Sequence, residues 1–548
     1  SMQRFANASV EGLISLLSGS SIASAAPIKD SISRSLGVLL VTKIQDRFGN
    51  TLNYSYDSDG HLTGITASDG RALSVVYVPS TSRIQSVTLQ PASGAPRTWI
   101  YTYGADGYSL IDVKLPDNSH WQFDITALQS TILRGGSAFS SCETLRVPGS
   151  LGPITGTITH PSGLVGQFTV QGMKHGRSYV PEACQGMQYG DPNTGGSYLV
   201  FPRAWYSLTT TQVIFSGAGI PTRTWFYNYS SPNDSWFNCT GTCPTTIWTD
   251  VVAPDGSTER STFSNRFDIT ESQLQRTDYY AGAAGSSTLL RSETSSYAPP
   301  TTSPLPLVAG NSFLGNLNVA QVTKYSPLNQ RVIAQDGDTY TWQAEAFDAY
   351  AQVTKTKRFS STFSQCLPTS TQCIEEQTTY RNDTNLWVLG LPLTVTNIAT
   401  GEVESSNTYN TNNDTLQSRA RFGQTLMSYS FYDANASTQD RGQLKSFTDG
   451  NTHTTTLGNY KRGIPQTISY PDGTGESLTV DDFGQIGAVT DQAGHTTSYG
   501  YDSVGRITGI SYPGGDEVAW LSKAFAYDFV TSAERGVSAN HWRRTTTT

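Results

Sequence analysis

Charge is scarce in this chain. Asp, Glu, Lys and Arg make up 15% of its 548 residues, against roughly 25% in an ordinary soluble domain. The formal net charge is −8, and no run of Lys and Arg forms the basic stripe that neutralising a phosphate backbone requires, which excludes a nucleic-acid partner. No stretch of about 18 apolar residues occurs, so no spanning helix is expected. Catalytic signatures are missing too: there is no HExxH, no G-x-S-x-G and no Walker loop. The seven histidines are His61, His120, His160, His175, His453, His495 and His541, and no two stand at the spacing of metal ligands on a helix or hairpin. "DSDG" at 57–60 and "QDGD" at 335–338 resemble half a calcium loop but lack the bidentate Glu at its twelfth position. No cofactor, metal or catalytic residue is expected.

What fills the space is Gly, Ser, Thr, Asn and Tyr, with 50 glycines and 28 tyrosines, a mixture that favours turns and Thr/Tyr-rich strands over helices. The length exceeds one ordinary globular core, so a repeat array is the first thing to seek. Asp46–Ile65 aligned without gaps on Asp491–Ile510 shares 11 of 20 positions, among them Tyr54, Tyr56, Asp57, Gly60 and Thr63. The two ends of the chain belong to one repeat set. Gly442, Gly463, Gly484 and Gly505 recur every 21 residues, and with Gly60 they are the expected turn glycines. Each is followed five residues later by an apolar residue (Phe447, Ile468, Val489, Ile510) and then by a second turn signal such as "PDG" at 471–473. Glycine supplies the positive φ of a tight turn, and the Asp before it can bond the turn backbone. His61 and His495 occupy turn positions where Asn50 and Arg506 stand in sister units, so they read as interchangeable turn residues. The unit is a β-hairpin.

The phrase "YDSVGRITGI" at this spacing resembles the YD-repeat or RHS-repeat family of bacterial secreted proteins, with the teneurins as animal relatives. The resemblance is tight at 46–77 and 432–520 and looser at 99–124 and 250–280. It implies an all-β fold: antiparallel hairpins joined edge to edge into a long spiralling sheet, a shell that in toxin members encloses a C-terminal effector polypeptide. The expected organisation is an N-terminal arm over 1–45, repeat sheet over 46–124, a degenerate stretch with Cys-containing loops over 125–430, and regular repeats over 431–548. The "DPxG" core segment of toxin members has no counterpart, since "GDPNTGG" at 190–196 lies mid-chain. An incomplete, open shell is therefore expected. The opening Ser1-Met2 reads as a cloning remnant, and an unpaired sheet edge at the other end would invite self-association.

Six cysteines remain: Cys142, Cys184, Cys239, Cys243, Cys366 and Cys373. Their spacings do not fit a zinc site. Short loops close at the lowest entropic cost, which favours Cys239–Cys243, Cys366–Cys373 and Cys142–Cys184 disulfides in a secreted or cell-surface protein. Six free thiols in a reducing compartment stay open as the alternative. One aromatic stretch stands out, Arg223–Trp248, holding Trp225, Tyr227, Tyr229, Trp236 and Trp248. It reads either as a platform for glycans or a cell-surface receptor or as the packed face of a strand, as the alternation of Trp225, Tyr227 and Tyr229 suggests. Three functions compete: a non-catalytic shell, an adhesion or glycan-binding surface, and a polysaccharide-acting enzyme. The last is weakest, because paired carboxylates are not concentrated anywhere.

Overall fold

The structure is a computed structural model that describes residues 2–5, 38–129, 152–180, 188–189, 197–198, 203–217, 219–267, 270–299, 326–361, 363, 365–514, 520–537 and 541–548. The spans expected to hold most of the N-terminal arm, Cys142, Cys184 and "GDPNTGG" lie outside these residues. Met2–Phe5 pairs with Val38–Val41. Among the described residues the one helix is a single turn, Thr126–Gln129.

Thirty-three strands from Lys43–Gln45 to His541–Thr547 form one antiparallel sheet, each strand pairing with its neighbours in chain order. Lys43–Gln45 pairs only with Thr51–Tyr56, and His541–Thr547 only with Lys523–Val530. No ladder joins these two ends, so the sheet is open. It is one layer thick, and little is deeply buried: among the described residues the largest fully buried side chain is Val180. Strands alternate in burial as the sequence pattern demands, for instance Thr496–Tyr501 with every second residue exposed.

The Tyr-Asp phrase explains how such a sheet holds together. Where Thr496–Tyr501 meets Ile507–Ser511, the register slips between Gly500 and Tyr501. The same slip falls at Ser55/Tyr56, Val76/Tyr77, Thr102/Tyr103 and Ser296/Tyr297. A bulge of this kind costs the ladder a bond and adds twist. The bulged tyrosine then ties back to the other side. Its hydroxyl donates to the carbonyl of the first residue of the preceding strand: Tyr77 to Leu62 (2.9 Å), Tyr103 to Ile84 (2.8 Å), Tyr297 to Leu274 (2.9 Å) and Tyr501 to Ile486 (2.9 Å). Burial pushes the pKa of each of these hydroxyls up, which keeps it a proton donor.

The aspartate that follows builds the turn. Asp502 Oδ1 accepts the backbone N–H of Val504 (3.1 Å) and of Arg506 (2.9 Å), while Gly505 N–H donates to the Asp502 carbonyl at 3.1 Å. Asp46, Asp57, Asp481 and Asp491 repeat this arrangement. Tyr501→Phe is expected to remove one tie, at a cost of about 1 kcal/mol. Hydrogen exchange should accelerate at 486–501 and nowhere beyond the neighbouring strands. Unchanged exchange there would show that the bulge needs no tie.

Candidate functional site

The sheet spirals until its own rims meet, and this seam is the assembled site of the molecule. The turn at 46–50 sits against the loop ending at Arg441–Gly442, twenty-three strands further along the sheet. The next turns on the same rim keep that offset. Asp69 meets Arg462, Ser93 and Arg97 meet Asp482 and Gln485, Asp117 meets Arg506, and Pro161 meets Trp542. An odd offset is required geometrically. In a sheet built of hairpins the turns alternate between rims, so only an odd number of strands per revolution sets a turn over a turn.

Arg462 is the centre of the seam. Its side chain is 3% exposed and bridges Asp69 (2.7 Å) and Asp482 (3.4 Å). Its Nε also donates to the Asp482 carbonyl at 2.7 Å. Lys461 adds a second cation 3.1 Å from Asp482, and the Ser93 hydroxyl donates to the same carboxylate. Burial pushes the Asp69 carboxyl up, but the hydrogen bonds and charge of Arg71, with the charge of Arg462, outweigh it and hold the group below the ordinary carboxylate range. The Ser93 hydrogen bond, against burial and helped by Lys461, holds Asp482 down likewise. Alongside, the Arg97 guanidinium lies 3.6 Å over the Phe483 ring. Arg506 Nη2 reaches Asp117 at 2.9 Å, and the Trp542 indole N–H donates to the Pro161 carbonyl at 2.6 Å.

All four glycines of the 21-residue series line this rim. They share a positive φ, at 75°, 78°, 84° and 93° for Gly442, Gly463, Gly484 and Gly505, yet they serve three kinds of turn. Gly484 and Gly505 close Asp-x-x-Gly turns. Gly463 follows Arg462, also at positive φ (56°), in a two-residue hairpin. Gly442 ends a longer loop, and a Cβ there would meet the Phe48 ring at 2.6 Å. Gly60, at φ 84°, stands on the opposite rim of the first revolution.

Asp57, Asp59 and His61 bring ligand atoms within 4.8 Å of one another. Asp57 Oδ1 is already occupied by the Asp59 and His61 N–H groups, and Oδ2 faces His61 Nδ1 at 3.0 Å. Asp449–His453 and Asp491–His495 repeat the pairing where Asn451 and Ala493 replace the second carboxylate, so the cluster is a turn. Burial pushes the His175 pKa down, and its Nε2 bonds the Thr209 hydroxyl at 2.9 Å.

The aromatic stretch does not form one platform. Tyr227 lies opposite Val251 and Tyr229 opposite Thr249, so Trp225, Tyr227 and Tyr229 share one face while Trp248 shares the other with Phe226. The two-residue period of the strand thus divides the rings of the stretch between two faces. Trp225 packs edge-on against Phe215, the Tyr229 hydroxyl donates to the Thr210 carbonyl, and Trp248 lies 4.1 Å beneath the Arg260 guanidinium. Trp236 sits in the loop after Tyr229, with Arg203 at 5.3 Å. Disulfides join Cys239 to Cys243 and Cys366 to Cys373.

Sequence reasoning missed the seam partners Phe48, Asp69, Ser93, Arg97 and Asp117. The internal alignment pairs repeats 445 residues apart, whereas the seam pairs Asp69 with Arg462 and Asp117 with Arg506. The cationic residues beside the glycines, Arg441, Arg462 and Arg506, were the one available signal.

Residues 480–517 match the model of the family described as RHS Repeat, which bears out the YD-repeat resemblance. Among curated proteins none matches the chain. The solved structures it resembles include the Photorhabdus luminescens Tc holotoxin pore, at 11% identity and a TM-score of 0.33 over 91% of this chain and 25% of that one. A TcdB2-TccC3-Cdc42 structure is also 11% identical, with a TM-score of 0.33, over 92% of this chain and 25% of the other. The chain thus spans about a quarter of the length of these structures.

Gly442→Ala is expected to destabilise the seam more than Gly463→Ala. Both pay the left-handed backbone cost of about 1–2 kcal/mol, but only the first displaces Phe48. Equal melting shifts for the two would refute this. Acid should also open the seam. Asp69 and Asp482 are depressed in the folded state, so their contribution is fully present above the ordinary value near pH 4. It is lost as pH falls through the depressed values. Small-angle scattering should show expansion below about pH 4, and an unchanged radius of gyration there would contradict the assignment.

Proposed function

We propose, from the RHS repeat carried at residues 480–517, that this chain is a non-catalytic wall of a bacterial secreted or cell-surface shell that encloses or presents a C-terminal effector polypeptide. The observation that carries the reading is the seam. A one-layer sheet whose rims lock together through Arg462, Arg506 and Gly442 becomes a continuous wall rather than a ribbon. Half-wet Tyr and Thr faces suit a surface that meets solvent or cargo without demanding a second layer. Disulfides at Cys239–Cys243 and Cys366–Cys373 fit an oxidising compartment.

The test is protection. A protease-sensitive polypeptide fused after Thr548 should be cut by trypsin several-fold more slowly than the same polypeptide free. Arg462→Met, which removes the cation bridging Asp69 and Asp482 across the seam, should restore fast cleavage. Equal cleavage of the fused and free polypeptides would sink the enclosing role.

A further inference from the structure

A concavity of about 1080 Å³ lies on the sheet away from the seam, walled by the loop that the Cys366–Cys373 disulfide closes. Its floor is a row across three strands. Trp342, in Asp338–Phe347, stands directly opposite Arg331 on one side and Arg358 on the other. Tyr340 is two residues from Trp342 and therefore on the same face, about 7 Å along the strand. Tyr340 is 52% exposed, and it takes no part in the hydroxyl-to-carbonyl ties described above.

Both arginines are held by glutamates: Arg358 by Glu376, and Arg331 by a Glu293 that it shares with Arg291. Arg331 Nε donates to Glu293 at 2.8 Å and Arg358 Nη2 to Glu376 at 2.6 Å. The glutamate side chains are 12% and 15% exposed and the arginine side chains 47% and 52%. Each guanidinium is thus held in place, while its remaining N–H groups stay available in a fixed plane. Gln372 and Asn397 add planar amides to the wall, and the Ser360 hydroxyl holds Gln372 Oε1 at 2.8 Å.

We propose that this concavity binds a neutral oligosaccharide. A sugar ring offers an apolar C–H face and an equatorial belt of hydroxyls. The exposed Tyr340 ring and the half-buried Trp342 ring, bordered by planar donors and acceptors, meet both requirements. An anionic ligand gains little here, because Glu293, Glu376 and the wall residue Asp338 together offset Arg291, Arg331 and Arg358, and the net charge of −8 opposes nucleic acid. The chemistry of the aromatic stretch at 225–248 lacks this arrangement, since its rings are divided between two faces and engaged by Phe215 and Arg260.

The experiment is calorimetric titration of the whole chain with cellohexaose, chitohexaose, maltohexaose and hexagalacturonate. At least one of the three neutral hexamers should bind. Trp342→Ala should weaken that binding about tenfold or more, equivalent to about 1.4 kcal/mol, and Trp248→Ala should leave it unchanged. Tyr340→Ala, at an exposed position, should weaken it comparably with an unaltered melting temperature, which separates lost contact from lost fold. The proposal is overturned if no neutral hexamer binds, if hexagalacturonate binds most tightly, or if neither the Trp342 nor the Tyr340 variant weakens binding.

Discussion

A sheet one layer thick cannot bury either face against a second layer, and everything else in this molecule answers to that constraint. Ordinary domains draw their stability from a shared apolar core. Here no large side chain among the described residues is fully enclosed, and the stabilising contacts run sideways instead. They take three forms: the backbone ladders, the tyrosine ties that reach back one strand, and the seam between rims. The low charge and the abundance of Tyr and Thr follow from the same constraint. Faces that stay half-wet need side chains with an apolar body and a polar tip.

The bulge and the tie belong together. Each bulge adds twist, and accumulated twist curls a long sheet instead of letting it lie flat. The tyrosine hydroxyl of Tyr77 or Tyr501 then secures a carbonyl of the preceding strand. The aspartate fixes the turn that launches the next strand. One short phrase therefore sets curvature, strand tie and turn at once, which is why it recurs although it performs no chemistry.

Curvature alone would give a ribbon with loose coils. The seam sets the pitch, and it does so with polar groups. Arg462 is nearly inaccessible and paired with two carboxylates, so removing it leaves Asp69 to Arg71 and Asp482 to Lys461 and breaks a buried pair that joins the two revolutions, a destabilising change. Polar seams also make register specific. A turn shifted by one strand would face a gap rather than a partner. The apolar contact of Phe48 with Gly442 adds a steric lock in which only glycine fits.

Much of this was legible in the residues. The hairpin repeat, the turn glycines at positive φ and the aspartates bonding their own turns follow from local rules: a two-residue strand period, glycine's freedom at positive φ, and the short reach of an aspartate side chain. The joining of the hairpins into one open antiparallel sheet was legible only through the resemblance to the YD-repeat family. Local rules act within about ten residues, and sequence displays them. Which turn would lie on which was not legible. Asp69 meets Arg462 only because some twenty-three small twists accumulate to one revolution, and no single unit encodes that sum. The placing of Tyr340 and Trp342 between Arg331 and Arg358 likewise depends on register across strands separated by loops of irregular length. The sequence by itself determined the building unit and its curl. Only the tertiary structure decided the offset between revolutions and the side chains it brings face to face, because long-range register is a sum of many local angles rather than a property of any one of them.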